Sequence, residues 1–357
     1  MKQTPFFSLI VITAFLLLSS CAKSKYLDPA IVFGTKEILK GEVIPEPIWA
    51  VDMTRSTVIY GANPWIITWS YLNEYILQLH DMNSGSTVYH TGNIGRGPEE
   101  MIFPFPVGTN FQDSIIYIND IYGASIHPYK ISDSTLIKLD VIRSQYLFAL
   151  RSFYKMSDST YFINSAANSS CMLLDTTFAV LDSIPIKPVE MNDETFHNKR
   201  IVTGFDKGIK ITPDNSRIIA YYPYFPILEI SEITPENKIS LTKRIEFFPV
   251  SYSTIQNEFT YDPSQQLGIS QMTLSSDYYY ALVQDYTFGE YEKIRTIDRK
   301  PFLMIFDRDL NFIKSYQFDR ILYNITISSD NKYLYSLTDD HDDEKNMYII
   351  RYELPKL

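Results

Sequence analysis

Apolar runs of about five residues, rich in Tyr, Ile and Phe, alternate with clusters of Asp, Asn and Ser along most of the chain. Long helical periodicity is absent. Short β-branched and aromatic runs bounded by turn residues predict strands. One unit recurs: an Asp or Asn turn, then within a few positions an apolar strand. It starts at Asn73, Asp113, Asp158, Asp214, Asp277 and Asp330, at intervals of 40–63 residues. Three copies carry a hydroxyl two positions upstream, in Thr212-Pro213-Asp214, Ser275-Ser276-Asp277 and Ser328-Ser329-Asp330. A strand-turn-strand element often follows, as at 77–89, 172–180 and 302–318. Asp and Asn bond their own backbone at turns, and alternating apolar residues then bury a strand face.

Six copies at this period predict an all-β fold, a six-bladed β-propeller of four-stranded antiparallel blades. The last copy ends after two strands, near 333–336 and 347–354. An N-terminal strand within 31–44 is therefore expected to complete the last blade and remove an open sheet edge. A β-sandwich, or two unrelated β-domains, is the competing reading.

Composition sharpens this picture. The chain has 357 residues, 45% hydrophobic and 21% charged, which describes a globular protein. Its aromatic fraction of 15%, with 27 Tyr and 22 Phe, suits half-buried strands. A net charge of −10 argues against nucleic-acid binding and against a polybasic grip on lipid.

The N-terminus has its own pattern. Lys2, the apolar run 6–18 and Leu18-Ser19-Ser20-Cys21 form a secretory signal too short to span a bilayer comfortably. Leu-Ser-Ser-Cys resembles a bacterial lipobox, which implies cleavage after residue 20 and lipidation of Cys21. The expected organisation is a signal peptide at 1–20, a lipidated tether at 21–30 and a propeller at 31–357. The residues after Cys21, Ala22-Lys23-Ser24-Lys25, lack the acidic run that resembles a surface-export signal in similar lipoproteins. An outer-membrane lipoprotein facing the periplasm is expected. With Cys21 lipidated, Cys171 has no disulfide partner, and its apolar setting reads as a buried structural thiol.

Gly95-Arg96-Gly97-Pro98-Glu99-Glu100-Met101 resembles the Gly-x-Gly-Pro-Gly-Glu-Phe turn of NHL-type and TolB-like six-bladed propellers. That turn is typical of lipoproteins from Gram-negative gut anaerobes. Glu99 and Met101 depart from the pattern, which covers one blade. The resemblance implies a fold and a lipoprotein life rather than an activity. Arg96 and Glu100 are expected to pin a connection between blades. The same glycines do not form a phosphate cradle, because Pro98 and a Phe/Pro-rich stretch follow instead of a helix.

Candidate chemistry is dispersed. Tyr222, Tyr224 and Phe225, in an unusually aromatic segment, are candidate ligand contacts or core residues. Tyr286, Tyr291, Arg295 and Arg299 occupy the long stretch 284–300, which could line a cleft. Asp340, Asp342 and Glu344 are weak Ca²⁺ candidates, set against a solvated hairpin tip. The His residues have no ligand spacing, and no Gly-x-Ser-x-Gly elbow is present. Asp-Ser/Thr tripeptides at Asp113, Asp133, Asp158, Asp175 and Asp182 resemble an O-glycan acceptor and are equally good turns.

The leading functional expectation is a non-catalytic module, membrane-tethered through Cys21, that binds a glycan, a peptide or an envelope protein without a cofactor. The alternative is a metal-dependent enzyme, since similar six-bladed propellers include lactonases and lyases with a metal near the central channel. Polar ligands converging on the channel mouth would favour the enzyme. Unpaired lining residues would favour the binder.

Overall fold

The computed structural model describes residues 34–44, 56–62, 65–71, 74–97, 99–110, 113–148, 150–165, 170–185, 207–255, 258–291, 293, 301–322, 324–340 and 343–357. Cys21, Arg295, Arg299 and Asp342 lie outside them.

Two short N-terminal strands, β1 (Glu37–Leu39) and β2 (Glu42–Val43), precede six antiparallel blades. Blade one is β3 (Ser56–Ala62), β4 (Trp65–Ser70), β5 (Tyr75–Asp81) and β6 (Thr87–Asn93). Blade two is β7 (Pro104–Asn110), β8 (Ile115–Asp120), β9 (Ser125–Ser132) and β10 (Thr135–Lys138), with β11 (Ile142–Arg143) also on β9. Blade three is β12 (Leu150–Lys155), β13 (Thr160–Ser165), β14 (Ser170–Asp175) and β15 (Val180–Pro185). Blade four is β16 (Gly208–Ile211), β17 (Arg217–Tyr221), β18 (Ile227–Ile233) and β19 (Ile239–Glu246). A hairpin of β20 (Tyr252–Ile255) and β21 (Glu258–Tyr261) precedes blade five. That blade is β22 (Ile269–Leu274), β23 (Tyr278–Val283), β24 (Phe302–Asp307) and β25 (Phe312–Phe318). Blade six is β26 (Thr326–Ile327), β27 (Tyr333–Asp340) and β28 (Asp343–Glu353), completed by β2. A six-bladed propeller is therefore the fold. The first strands of successive blades pack side by side, and β26 meets β3 to close the ring.

The side-chain period of two explains why the strands read as continuous apolar runs. In β23, Tyr279, Ala281 and Val283 face blade four, whereas Tyr280 and Leu282 face blade six. Ile163 likewise packs on blade two and Phe162 on blade four. Six apolar clusters result among the described residues, each shared by two neighbouring blades. The middle strands of the sheets are buried on both faces, as in β8, β23 and β24, so alternation with polar residues disappears there. Tyrosine adds hydroxyls that link blades: Tyr154 donates to the Ile209 carbonyl at 3.1 Å and Tyr280 to Asn331 Oδ1 at 3.2 Å. Cys171 sits in the cluster between blades three and four, and burial raises its thiol pKa.

The recurrent Asp turn joins the first strand to the second in blades two to six. Its upstream hydroxyl accepts the first amide of the second strand: Arg217 N to Thr212 Oγ1 at 3.0 Å, Tyr278 N to Ser275 Oγ at 3.0 Å and Tyr333 N to Ser328 Oγ at 2.9 Å. The first copy is displaced. Position 73, outside the described residues, falls in the chain between β4 and β5, so the strand that follows it is the third of blade one and not the second. Turn chemistry alone does not tell which pair of strands a turn joins; the pairing does.

Closure is richer than expected. The C-terminal region supplies three strands of blade six, because the two-residue β26 is too short to show in the sequence. The N-terminal segment splits across two blades. β1 runs parallel to β25 at the edge of blade five, and β2 pairs antiparallel with β28. Gly41 crosses between them, where a Cβ would meet Ile350 Cδ1 at 2.3 Å and Tyr352 Cζ at 2.7 Å. Its amide donates to Asp319 Oδ1 at 3.2 Å, and the Tyr352 hydroxyl donates to the same atom at 3.0 Å.

Candidate functional site

The first strands of blades two to six line an axial cavity of about 390 Å³. Thr109 of β7, Ser152 of β12, Gln271 of β22 and Thr326 of β26 contribute polar groups to its wall. Gly108 lets β7 approach β12 closely, since a Cβ there would meet the Phe153 carbonyl oxygen at 2.1 Å. The charged lining residues are Arg151, Lys207 and Lys210, with no Asp or Glu among the described residues of the wall.

The two lysines differ. Lys207 is buried with a carboxylate, its Nζ 3.9 Å from Glu229 Oε2. Glu229 also faces Arg244 Nη1 at 3.6 Å and accepts the Tyr222 hydroxyl at 2.9 Å. Arg244 Nε continues to Glu246 at 3.1 Å. This chain of alternating charges holds each member against a partner. Lys210 is on β16 between Ile209 and Ile211, which turn into the cluster with blade three. Alternation leaves Lys210 on the other face, half-buried in the cavity wall. It makes no ion pair or hydrogen bond to the described residues, and desolvation lowers its pKa to about 8.

Residues singled out in the sequence fall elsewhere. Tyr222, Phe225 and Tyr286 are in the core, while Tyr224 and Tyr291 are exposed. The Tyr224 ring lies tilted 5.1 Å from that of Tyr261, and Tyr261 lies 4.6 Å from Phe288, forming a small aromatic ledge. The stretch after β23 contains a short helix, α1 (Phe288–Tyr291), whose first turn is closed by Thr287 N donating to Glu290 Oε2 at 2.8 Å. Thr287-x-x-Glu290 is a capping box, a signal hidden by the surrounding tyrosines. Asp340 ends β27 and Glu344 lies in β28, so the acidic run occupies a strand hairpin. No group of three or more His, Cys, Asp or Glu residues converges on a metal-sized site among the described residues.

The Gly95 turn connects blade one to blade two. Glu100 Oε2 accepts the Gly97 amide at 2.7 Å, and Met101 is fully buried between the blades. Glu99 is exposed and pairs with Lys138 of β10. These contacts account for both departures from the motif: one residue salt-bridges at the surface and the other fills the core. A second cavity beside this turn is lined by Glu99, Glu100 and Lys138, all engaged in these contacts or in the turn itself. His80 and His127 are buried and tied to Thr68 and Ser125 at 2.8 and 3.1 Å, and burial lowers the pKa of His127 to about 4.

Ring, clasp and axial cavity together define a closed six-bladed propeller with a polar interior. The TolB-like 6-blade propeller-like family matches residues 59–330, and the chain belongs to that family. A Bacteroides fragilis protein described as exported shares 13% identity and a TM-score of 0.55, over 89% of this chain and 95% of that one. A DUF4221 family member from Bacteroides vulgatus shares 9% identity and a TM-score of 0.54, over 89% and 96%. At such identities the likeness concerns the fold. No curated protein matches the chain in sequence.

Proposed function

We propose that this is a lipid-anchored envelope propeller whose axial cavity binds a small ligand. The observation that carries the reading is the set of unspent polar groups in the wall. Lys210, Gln271, Thr109, Ser152 and Thr326 line one cavity and have no side-chain hydrogen bond to the described residues. Polar side chains that face a cavity without a protein partner are free to exchange their water for a ligand's donors and acceptors. The signal at 1–20, lipidation at Cys21 and a periplasm-facing outer-membrane site complete the proposal. The fragilis relative described as exported supports it.

The metal-dependent enzyme reading needs carboxylates or imidazoles on the axis. The described wall offers ammonium, guanidinium, amide and hydroxyl groups, which suit an anion or a sugar better than a divalent cation. The test is differential scanning fluorimetry of the detergent-purified lipoprotein against small glycans and organic acids, with and without chelator. A ligand that raises Tm in wild type and not in Gln271→Trp, whose larger side chain takes up part of the cavity, supports the reading. A chelator-sensitive Tm with stoichiometric metal would move the function to the enzyme class.

A further inference from the structure

We propose that the axial cavity takes a small polyhydroxylated anion, a sugar acid, with its carboxylate seated at Lys210. The inference rests on the cavity being the binding site and names the class of molecule that fits it.

Among the described residues the charge of the wall is one-sided. Arg151 and Lys210 line it, and the nearby Lys207 is held by Glu229. Glu229 is itself shared with Arg244 and Tyr222, so it belongs to the buried network and not to the lumen. The protein as a whole carries −10, so this local positive charge is not a sample of a basic surface. A half-buried ammonium without a counter-ion is unfavourable, and an anionic ligand removes that penalty. The remaining wall is made of groups that exchange hydrogen bonds with hydroxyls. The Gln271 amide offers two donors and an acceptor, and Thr109, Ser152 and Thr326 each offer one donor and an acceptor. A volume of about 390 Å³ lies within the range of small-molecule sites, roughly 300–1,000 Å³. A bare inorganic anion would engage the charge and leave most of these groups to water. A sugar ring with one carboxylate engages both the charge and the hydroxyl-lined wall.

Isothermal titration calorimetry on the detergent-purified lipoprotein separates the components, with glucuronate, glucose and inorganic phosphate as probes. Glucuronate is expected to bind at least tenfold more tightly than either of the others. Lys210→Met is expected to weaken glucuronate at least tenfold and leave glucose unchanged. Lys210→Arg, which keeps the charge, is expected to retain most of the affinity. Equal binding of glucose and glucuronate, or an unchanged affinity in Lys210→Met, overturns the anion assignment while the cavity reading stands. Phosphate binding as tight as glucuronate overturns the polyhydroxylated part. No heat from any probe overturns the inference. If glucuronate binding survives Gln271→Trp, the cavity reading falls with it.

Discussion

Lys210 is a residue kept at a cost. Its pKa in the folded protein, about 8, lies below its unfolded value of 10.5. Between those values the unfolded chain holds a proton that the native protein lacks, so this residue's contribution to stability rises with pH across that window. Below pH 8 the native state must carry the charge, and the penalty is complete. Arg151 of β12 and Lys207 line the same wall and add positive charge, and the phenols of Tyr154 and Tyr221 are the other titratable groups among the described residues there. Lys210→Met is therefore expected to raise the ligand-free Tm at pH 7 by about 2–4 °C, the shift of about 1 kcal/mol in a large domain. That advantage shrinks as pH rises from 8 to 10.5. Parallel melting of the two proteins across this range checks it. A variant less stable than wild type at pH 7 would assign Lys210 a structural role. The sequence hid this residue for a physical reason. Gly208-Ile209-Lys210-Ile211 reads as a strand with one face in water, and only closing the ring turns that face onto the axis.

At the scale of elements, the clasp formed by β1 and β2 is the most exacting feature. Gly41 passes over Ile350 and Tyr352 with no room for a side chain. Gly41→Val forces these core residues aside and is expected to destabilise the protein by about 1–3 kcal/mol. Hydrogen exchange is expected to accelerate at Ile349–Arg351 of β28 and hardly at β13, in blade three. Uniform acceleration would mean that the clasp is not a local unit. In the α1 capping box, Glu290→Ala removes the acceptor of the Thr287 amide and hydroxyl, at 2.8 and 3.1 Å. The expected loss is about 0.5–1 kcal/mol, measured by urea denaturation. The Asp turn that opens the second strand of five blades was plain in the sequence, because it acts locally, and in three of them a Ser or Thr two positions upstream reinforces it. The need for an N-terminal strand was also legible, since an unpaired edge has to be covered. Its division between two blades was not, because that depends on where Asp319 and Ile350 meet Gly41 in space.

At the scale of the whole molecule, the aromatic richness and the closed ring have one cause. Every blade packs between two neighbours, so successive residues of its middle strands serve opposite sides, as Tyr279 and Tyr280 do. The exposed ledge around Tyr224 and the axial cavity are separate candidates for contact with the outside. The unpaired polar groups favour the cavity. The most direct test is a crystal structure of the lipoprotein's soluble portion grown with glucuronate. The expected result is a sugar acid on the axis, its carboxylate within hydrogen-bond distance of Lys210 Nζ and its hydroxyls on Gln271 and Thr326. A sugar resting on Tyr224 with the axis free of it would contradict the account.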